Sequence, residues 1–250
     1  MPQHRDRTAW LHGGEAVCLQ PPPVVRRTWR LVLLGPPGVG KGTQGELLCN
    51  SLGACPLSTG DVFRAAKGHP AAPGSAMARA QAAMQNGELV SDDTVLAMVR
   101  ERDHCLLCRG GFMLDGFPRT LAQATALDAH LETVQVRLDA VISYELPLDQ
   151  IVTRISGRLV CPKCKAVFHA TTHPPRRPGI CDQCGAALTQ RPDDRPEAVR
   201  VRLEAYESAT QPLAAYYDRQ NLLVRIMADG APMDILAHTL DALVARGLIS

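Results

Sequence analysis

The segment "RLVLLGPPGVGKGT", Arg30 to Thr43, restricts the fold more than any other part of the chain. It begins with a short apolar run that ends abruptly in glycines, as a buried parallel strand does. After it, "QGELLC" continues as a helix. A strand, a glycine-rich loop, a lysine and a helix in this order are typical of a phosphate-binding loop, because backbone N–H groups and the positive end of the helix together bind anions. The segment therefore predicts an α/β fold that binds phosphate groups.

The rest of the chain alternates short strands with helices. Further strands are predicted at 55–59, 111–116, 139–146 and 222–227, and helices at 92–102, 120–132 and 148–156. This alternation predicts a central parallel sheet with helices on both faces.

Residues 194–220 form a longer amphipathic segment. Asp194 is the predicted N-cap and Pro196 lies in the first turn. The apolar side chains at helical spacing indicate core packing rather than a binding site; they are Val199, Leu203, Tyr206, Thr210, Leu213 and Tyr217.

The phosphate loop departs from the common pattern G-x-x-x-x-G-K-[ST] at one place. Gly42 follows Lys41, and the hydroxyl that usually contacts magnesium comes one position later, at Thr43. This shift directs attention to Asp115, at the end of the strand predicted at 111–116. A carboxylate there could hold Mg²⁺ through water. The alternative role of Asp115 is that of a helix cap.

Composition excludes several classes of protein. A chain of 250 residues with a net charge of +2 predicts one α/β domain and gives no case for a nucleic-acid or membrane partner. No apolar run approaches the roughly 20 residues that span a bilayer. Nine cysteines without a disulfide framework fit a reducing cytosol. Residues 1–29 have no secretory apolar region and are expected to be a disordered extension, with a transit peptide as the alternative.

Four cysteines form two C-x-x-C pairs within residues 161–184, separated by a loop rich in Pro and Gly. This spacing predicts one tetrahedral zinc site in which every position is filled by sulfur, and a closed site of this kind is structural. The alternatives are an iron–sulfur cluster and unmetallated thiols. His169 and His173 lie within the loop and are predicted to be solvated. The predicted ligands are Cys161, Cys164, Cys181 and Cys184.

Several arginines stand in distinctive contexts, and planar guanidinium groups neutralise and orient phosphates. With the phosphate loop, "STGDVFR", "DGFPRT", "GRLVCPKC" and "QRPDD…VRVRL…Y" follow in order over residues 30 to about 246. In these motifs the chain resembles the long-type adenylate kinases, which carry a zinc-binding lid. The resemblance implies a P-loop three-layer fold with a parallel five-stranded sheet, a small helical AMP-binding insertion and a zinc-stapled lid. It also implies the reaction ATP + AMP ⇌ 2 ADP with Mg²⁺, and a monomer.

The resemblance divides the chain into regions and assigns roles by position. The P-loop core comprises 30–57, 91–157 and 195–250, the AMP-binding domain 58–90 and the lid 158–194. The residues expected to act on the transferring phosphoryl group are Lys41, Arg119, Arg158, Arg191 and Arg202. Those expected to hold ATP and its magnesium are Gly38, Val39, Gly40, Lys41, Gly42, Thr43, Asp115, Arg154, Arg158, Val167, Phe168 and Pro232. Those expected to hold AMP are Thr59, Arg64, Glu88, Leu89, Val90, Gly116, Phe117, Pro118, Arg119, Gln123, Arg191 and Arg202.

This chemistry needs no side-chain base. The AMP phosphate has a second pKa of about 6 and is already an ionised nucleophile at neutral pH. Two other functions remain open on the sequence alone. One is a kinase for another nucleoside monophosphate, such as UMP or CMP, against which Gln123 argues. The other is an ATP-dependent module whose zinc ribbon binds nucleic acid through basic residues; these are Lys163, Lys165, Arg176 and Arg177.

Overall fold

A computed structural model describes residues 27–66, 70–86, 88, 90–108, 110–164 and 166–249. The predicted disorder of the first 29 residues therefore falls, for residues 1–26, outside the described part. The strands are β1 (Trp29–Leu34), β2 (Cys55–Ser58), β3 (Gly111–Asp115), β4 (Ala140–Glu145), β5 (Arg158–Val160), β6 (Val167–His169) and β7 (Leu223–Met227). The helices are α1 (Lys41–Leu52), α2 (Thr59–Ala66), α3 (Ala76–Gln85), α4 (Asp92–Arg100), α5 (Asp103–Leu106), α6 (Leu121–Thr133), α7 (Leu148–Ser156), α8 (Pro196–Ala205), α9 (Pro212–Asp218) and α10 (Pro232–Ala245).

The central sheet has five parallel strands in the order β2-β3-β1-β4-β7. The fold class and all five predicted strand positions are confirmed, with ends that move by a residue or so. β1 begins at Trp29, one residue earlier than predicted, and Thr59 belongs to α2 rather than to β2. Parallel strands bring their carboxyl ends to one edge of a sheet, and ligands of such sheets bind at that edge. The phosphate loop, Thr59 and Asp115 all follow or end strands there.

Both faces of the sheet are buried, which makes the fold three-layered. Successive residues of β1 point to opposite sides: Val32 and Leu34 pack in one apolar cluster, whereas Leu31 and Leu33 pack in the other. This explains why "RLVLL" is a continuous apolar run rather than an alternating one.

Gly45 lies where α1 packs against β1. It is buried, and a Cβ atom built there lies 3.4 Å from Leu33 Cδ1. Packing against β1 therefore restricts this position to a small residue but leaves room for alanine.

The segment 158–194 contains a second, smaller sheet. β5 and β6 are antiparallel, and Val160 also bridges to Thr189. Its apolar cluster consists of Phe168 packed with the buried Cys161 and Cys181. A core of this size cannot stabilise a domain alone, so the cysteine cluster has to supply the rest.

This smaller unit is attached to the C-terminal end of α7 through the carbonyl groups that end the helix. The Ala170 N–H donates to Gly157 O at 2.8 Å, and Gln190 Nε2 donates to Ser156 O at 3.1 Å. His169 Nε2 lies 3.2 Å from Thr153 O, while His169 Nδ1 accepts from the N–H groups of residues 171 and 172. The prediction that His169 is solvated is therefore wrong, because its ring closes the end of α7.

The segment 194–220 is not one continuous helix. A π-helical turn, Tyr206–Thr210, separates α8 from α9. The core assignment of the stripe is confirmed for Val199, Leu213 and Tyr217, which are buried. Asp194 is not the N-cap: Arg195 holds that position without a side-chain cap, and the Asp194 carboxylate is buried in an ion pair with Arg158. A buried carboxylate gains more from a guanidinium than from capping an exposed helix end.

Among the described residues, no helix combines the length and the apolar character needed to cross a membrane.

Candidate active site

The loop between β1 and α1 forms an open cradle of main chain. Gly35, Gly38 and Gly40 all have positive φ, at 138°, 86° and 107°. A Cβ atom on Gly35 would lie 2.5 Å from Tyr144 O, so this position accepts only glycine. By contrast, a Cβ on Gly40 or Gly42 meets no atom within 4 Å. The side of the loop that faces open space is the one on which phosphates can approach the backbone N–H groups.

Lys41 lies within this loop, and its ammonium group is held by the main chain. Its Nζ donates to Gly35 O at 2.6 Å and to Pro36 O at 2.9 Å. Burial lowers the pKa of Lys41 to about 8. The Asp115 carboxylate opposes this shift, whereas the guanidinium groups of the nearby arginines add to it; they are Arg119, Arg202 and Arg158. Lys41 thus lies in the field of three further cations, a concentration of positive charge that favours a polyanionic ligand.

Two of these arginines share a pair of acidic residues. Arg158 Nε donates to Asp194 Oδ2 at 2.8 Å, and its Nη2 bonds Asp194 Oδ1. Arg202 Nη1 lies 3.2 Å from Asp193 Oδ2 and 3.6 Å from Asp194 Oδ1. The Asp194 side chain is 0% exposed. The buried carboxylate therefore joins the start of the smaller sheet to α8 and holds both guanidinium groups in place.

Arg119 follows β3, in a loop whose Phe117–Pro118 peptide bond is cis. Its main chain is bonded at both ends: the N–H donates to Gln123 Oε1 at 2.7 Å, and the carbonyl accepts from Thr210 Oγ1 at 2.9 Å. Its Nε donates to Gly116 O at 2.7 Å. The main chain of Arg119 is thus held by α6 on one side and by the π-helical turn on the other, and its guanidinium is held by Gly116 O.

Arg154 and Arg191 complete the set of predicted arginines. Arg154, on α7, lies over the phosphate loop, with Nη1 3.4 Å from Val39 O. Burial lowers the pKa of Arg154, and the nearby Asp229 opposes that shift. Arg191 is half-buried, and its carbonyl accepts from the Asp194 N–H at 3.0 Å. Both residues therefore lie on elements that adjoin the cluster around Lys41.

The four predicted metal-binding cysteines form one cluster. All four sulfur atoms lie within 4.8 Å of one another. The Cys161–Cys184 and Cys164–Cys181 sulfur pairs are each 3.4 Å apart. Zinc at about 2.3 Å from each thiolate would space tetrahedral ligands roughly 3.8 Å apart, so the donor set fits this ion. Burial opposes ionisation of Cys161, but hydrogen bonds led by that of the Cys164 N–H lower its pKa to about 6.

Comparison with known proteins gives a single answer. Residues 33–222 match the family described as "Adenylate kinase". The chain is 46% identical over 217 residues to an adenylate kinase of Streptomyces griseus, covering 86% of this chain and 98% of the relative. It is 47% identical over 209 residues to one of Anaeromyxobacter dehalogenans (84% and 96%), and 44% over 214 residues to one of Carboxydothermus hydrogenoformans (86% and 99%). The chain belongs to the adenylate kinase family. It is accordingly a phosphotransferase that transfers the γ-phosphoryl group of ATP reversibly to AMP, giving two ADP.

Several of the residues that the adenylate kinase resemblance assigns to AMP directly follow β2 and β3; they are Thr59, Gly116 and Phe117. Thr59 Oγ1 donates to Gly116 O at 2.9 Å, which joins the two strand ends. Gly116 has φ 79°, and a Cβ there would approach Thr59 Oγ1 to 2.9 Å. Phe117 is buried, Glu88 is exposed and Val90 is half-buried. The Arg64 side chain and Leu89 lie outside the described residues.

On the ATP side of this adenylate kinase, the assigned residues differ in exposure. Val167 is exposed, whereas Phe168 is buried with the cysteines and stacks on His173 at 5.7 Å between ring centroids. Pro232 begins α10, and its carbonyl accepts from Gln44 Nε2 at 2.8 Å. Asp115 ends β3, where Oδ2 accepts from Ser58 Oγ at 3.2 Å.

The sequence motifs do not identify four residues that hold parts of the candidate site in place. Asp193 and Asp194 pair with arginines, and their position directly after "QRP" was the available signal. Gln44 ties α1 to α10, and Thr210 binds the Arg119 carbonyl. For these two no signal exists in the sequence, because their partners are 188 and 91 residues away.

Proposed function

We propose that this adenylate kinase transfers the phosphoryl group in line, by neutralising charge around it and aligning the two nucleotides. The residues that perform this are Lys41, Arg119, Arg158, Arg191 and Arg202. The observation that carries the proposal is the electrostatic coupling of Lys41 to three of these arginines, which come from three separate segments of the chain. Asp115, Asp193 and Asp194 offset only part of this positive charge, and the remainder favours a polyanionic ligand.

The AMP phosphate acts as the nucleophile without help from a side-chain base. Its second pKa is about 6, so the attacking oxygen is ionised at neutral pH. One oxygen of AMP forms the new bond to the γ-phosphorus while the bond to the β,γ-bridging oxygen of ATP breaks, and ADP leaves with that electron pair. Lys41 and the arginines hold the oxygens of the migrating group throughout.

The two nucleotides occupy opposite sides of this cluster. ATP phosphates lie on the main chain of Gly38 to Thr43, and Arg154 and Arg158 contact them from α7 and β5. The ATP base lies against Val167 and the main chain of Phe168 and Pro232. AMP is held by the strand-end residues and by the segment before α4; these are Thr59, Arg64, Glu88, Leu89, Val90, Gly116, Phe117, Pro118, Arg119, Gln123, Arg191 and Arg202.

Asp115 and Thr43 are the residues that would hold magnesium beside the phosphate loop. The Asp115 carboxylate stands at the carboxyl end of β3, adjacent to β1. Carboxylates that bind Mg²⁺ commonly do so through its water ligands. When bound with ATP, the ion neutralises charge on the β and γ oxygens.

The cysteine cluster holds zinc as a structural brace of the lid, residues 158–194. Four sulfur ligands leave no coordination position for water or substrate. The lid excludes water from the γ-phosphoryl group when it closes, and the brace keeps it rigid as it moves. We further propose that the protein works in the cytoplasm, since the zinc site requires reduced thiols. That it works as a monomer is what the family resemblance implies.

An acceptor panel tests the choice of AMP. Purified protein with ATP and Mg²⁺ is offered AMP, GMP, UMP or CMP in turn, and ADP formation is followed by a coupled assay. We expect kcat/KM for AMP to exceed the others by several orders of magnitude. A higher value with any other monophosphate would show that the acceptor is wrong while leaving the phosphate loop in place.

A further inference from the structure

Four residues at the start of α4 and α6 form a closed hydrogen-bonded network next to the predicted AMP site. Asp92 Oδ1 accepts from Gln123 Nε2 at 2.5 Å, and Asp92 Oδ2 accepts from Thr120 Oγ1 at 2.8 Å. The Thr120 hydroxyl also accepts from the Gln123 N–H at 3.1 Å. The Arg119 N–H closes the network by donating to Gln123 Oε1 at 2.7 Å.

This network determines which way the Gln123 amide faces. An amide side chain can be turned by 180° with little change in shape, so its orientation follows from its hydrogen-bond partners. A backbone N–H can meet only the oxygen, and a carboxylate can meet only the nitrogen. The Arg119 N–H and the Asp92 carboxylate therefore select the same one of the two orientations.

Asp92 is available for this role because another residue caps α4. Ser91 is the N-cap, and its side chain accepts from the Thr94 N–H. The neighbouring Asp93 lies in the same first turn and is exposed. Gln123, by contrast, is only 6% exposed. A buried amide held at both ends presents a fixed order of donor and acceptor to whatever binds beside it.

The orientation of the Gln123 amide matters because purine bases differ in the order of the hydrogen-bond donor and acceptor that they present. Gln123 Nε2 carries a second N–H, and Oε1 carries a second lone pair. Adenine offers an amine donor at C6 beside the acceptor N1, which match the amide oxygen and the amide N–H. A 6-oxopurine offers an acceptor at C6 beside a donor N1–H, which match the amide only after it is turned. An amide locked in one orientation leaves both pairs mismatched with the wrong base.

We propose that Asp92 is a specificity-determining positioning residue, which locks the Gln123 amide in the orientation that accepts adenine and rejects 6-oxopurines. The inference rests on the proposed role of Gln123 in reading the AMP base. Through the Arg119 N–H, the same network joins base recognition to a guanidinium beside the phosphoryl group. A correct base thus fits without disturbing Arg119, whereas a 6-oxopurine fits only if the Arg119 N–H loses its acceptor.

The test compares AMP with IMP as acceptor, by the ratio of their kcat/KM values. Asp92→Ala removes the carboxylate, and we expect the ratio to fall about tenfold, the effect of one hydrogen bond. Asp92→Asn keeps an oxygen that can accept from Nε2, so it should retain most of the ratio. Asp93→Ala removes a neighbouring carboxylate and should leave the ratio unchanged. Purely structural damage lowers both acceptors alike and does not move the ratio.

Gln123→Ala separates this inference from the proposed function on which it rests. If Gln123→Ala lowers the ratio but Asp92→Ala leaves it within twofold of the wild type, base reading stands and the lock at Asp92 is overturned. If Gln123→Ala leaves the ratio unchanged, Gln123 does not read the base and both are overturned. Should Asp92→Ala unfold, Asp92→Ser, whose side chain is too short to reach Nε2, is measured in its place with the same two outcomes.

Discussion

The ammonium group of Lys41 is held by main-chain carbonyl groups, which phosphate oxygens can replace. In the structure it bonds the carbonyls of Gly35 and Pro36, and burial lowers its pKa to about 8. Phosphate oxygens are better acceptors for a cation than carbonyls, so we expect the phosphates of ATP to replace these partners. The low pKa means that the free enzyme loses this cation at mildly alkaline pH.

We therefore expect kcat/KM for ATP to fall above pH 8, with an apparent pKa near 8. The phosphates of ATP and AMP do not titrate in that range, since their last pKa values are about 6. The measurement is a pH profile of kcat/KM at saturating AMP. A profile that stays flat up to pH 9.5 would contradict the protonation state assigned to Lys41.

The same shift has the opposite effect on stability. Because burial lowers the pKa of Lys41 from 10.5 to about 8, the unfolded chain binds more protons than the folded chain between these values. The contribution of Lys41 to the unfolding free energy therefore rises with pH across that window. At pH 8 we expect Lys41→Met to have a higher Tm than the wild type, because the variant does not bury an ammonium group. This difference in Tm should shrink as pH rises from 8 towards 10. A difference that stays constant would show that the pKa is not lowered.

Gly45 provides a test of packing at a single position. Its Cβ would lie 3.4 Å from Leu33 Cδ1, at the edge of ordinary contact. Alanine removes the helix penalty of glycine, about 1 kcal/mol, and needs only a slight shift of Leu33. We expect Gly45→Ala to raise the unfolding free energy in urea by up to about 1 kcal/mol. Gly45→Val is the contrasting variant, since its two extra methyl groups must be accommodated next to Leu33, and equal stability of the two variants would refute the close contact.

At the scale of elements, the π-helical turn at Tyr206–Thr210 accounts for one contact of the site. Turns of this kind often occur at functional sites, because the extra residue re-aims the side chains beside it. Here Thr210 Oγ1 donates to Arg119 O, from a turn that directly follows the helix carrying Arg202. The turn thus connects the main chain of Arg119 to the end of α8, the helix that carries Arg202.

Thr210→Val keeps the shape of the side chain and removes this hydrogen bond. We expect kcat to fall severalfold with a smaller change in KM for ATP, because Arg119 is displaced from the transferring group. Ser208→Ala is the matched control, since the Ser208 hydroxyl donates to Glu204 O within its own helix. Equal effects of the two variants would show that the contact to Arg119 has no catalytic consequence.

The junction between α7 and the lid depends on close contact between Gly157 and His169. A Cβ on Gly157 would lie 2.3 Å from the His169 ring, although its φ of −89° suits any residue. We expect Gly157→Ala to lower Tm by several degrees, because it displaces the ring from Thr153 O. In the double variant Gly157→Ala/His169→Ala the ring is absent and the clash is relieved. We therefore expect the double variant to have nearly the same Tm as His169→Ala alone. Additive effects of the two changes would contradict the contact.

At the scale of the whole molecule, the elements were more predictable than the contacts between them. The strands and the phosphate loop follow from patterns of neighbouring residues, such as the apolar run that ends at Gly35. The roles of Asp194 and His169 were mispredicted because each is set by a partner elsewhere in the chain, Arg158 and Thr153. Local capping preferences and loop composition carry no information about those partners.

The proposed zinc brace also acts at this scale, because the four cysteines connect parts of residues 158–194 that are distant in sequence. We expect Cys161→Ser to lower Tm and zinc content more strongly than turnover at low temperature, measured by calorimetry, metal analysis and the coupled assay. Cys108→Ser changes a half-buried cysteine outside the cluster and controls for loss of a thiol. Complete loss of turnover in a folded, zinc-free lid would show that the metal takes part in the reaction.

We expect transfer from ATP to AMP to depend on the cation of Lys41 at the phosphate loop. ³¹P NMR of the purified protein with ATP, AMP and Mg²⁺ measures it directly, since every nucleotide is observed at once. We expect two ADP for each AMP consumed, and a loss of rate by several orders of magnitude in Lys41→Met with an unchanged circular dichroism spectrum. A near-normal rate of transfer by folded Lys41→Met would show that the reaction does not depend on the Lys41 cation.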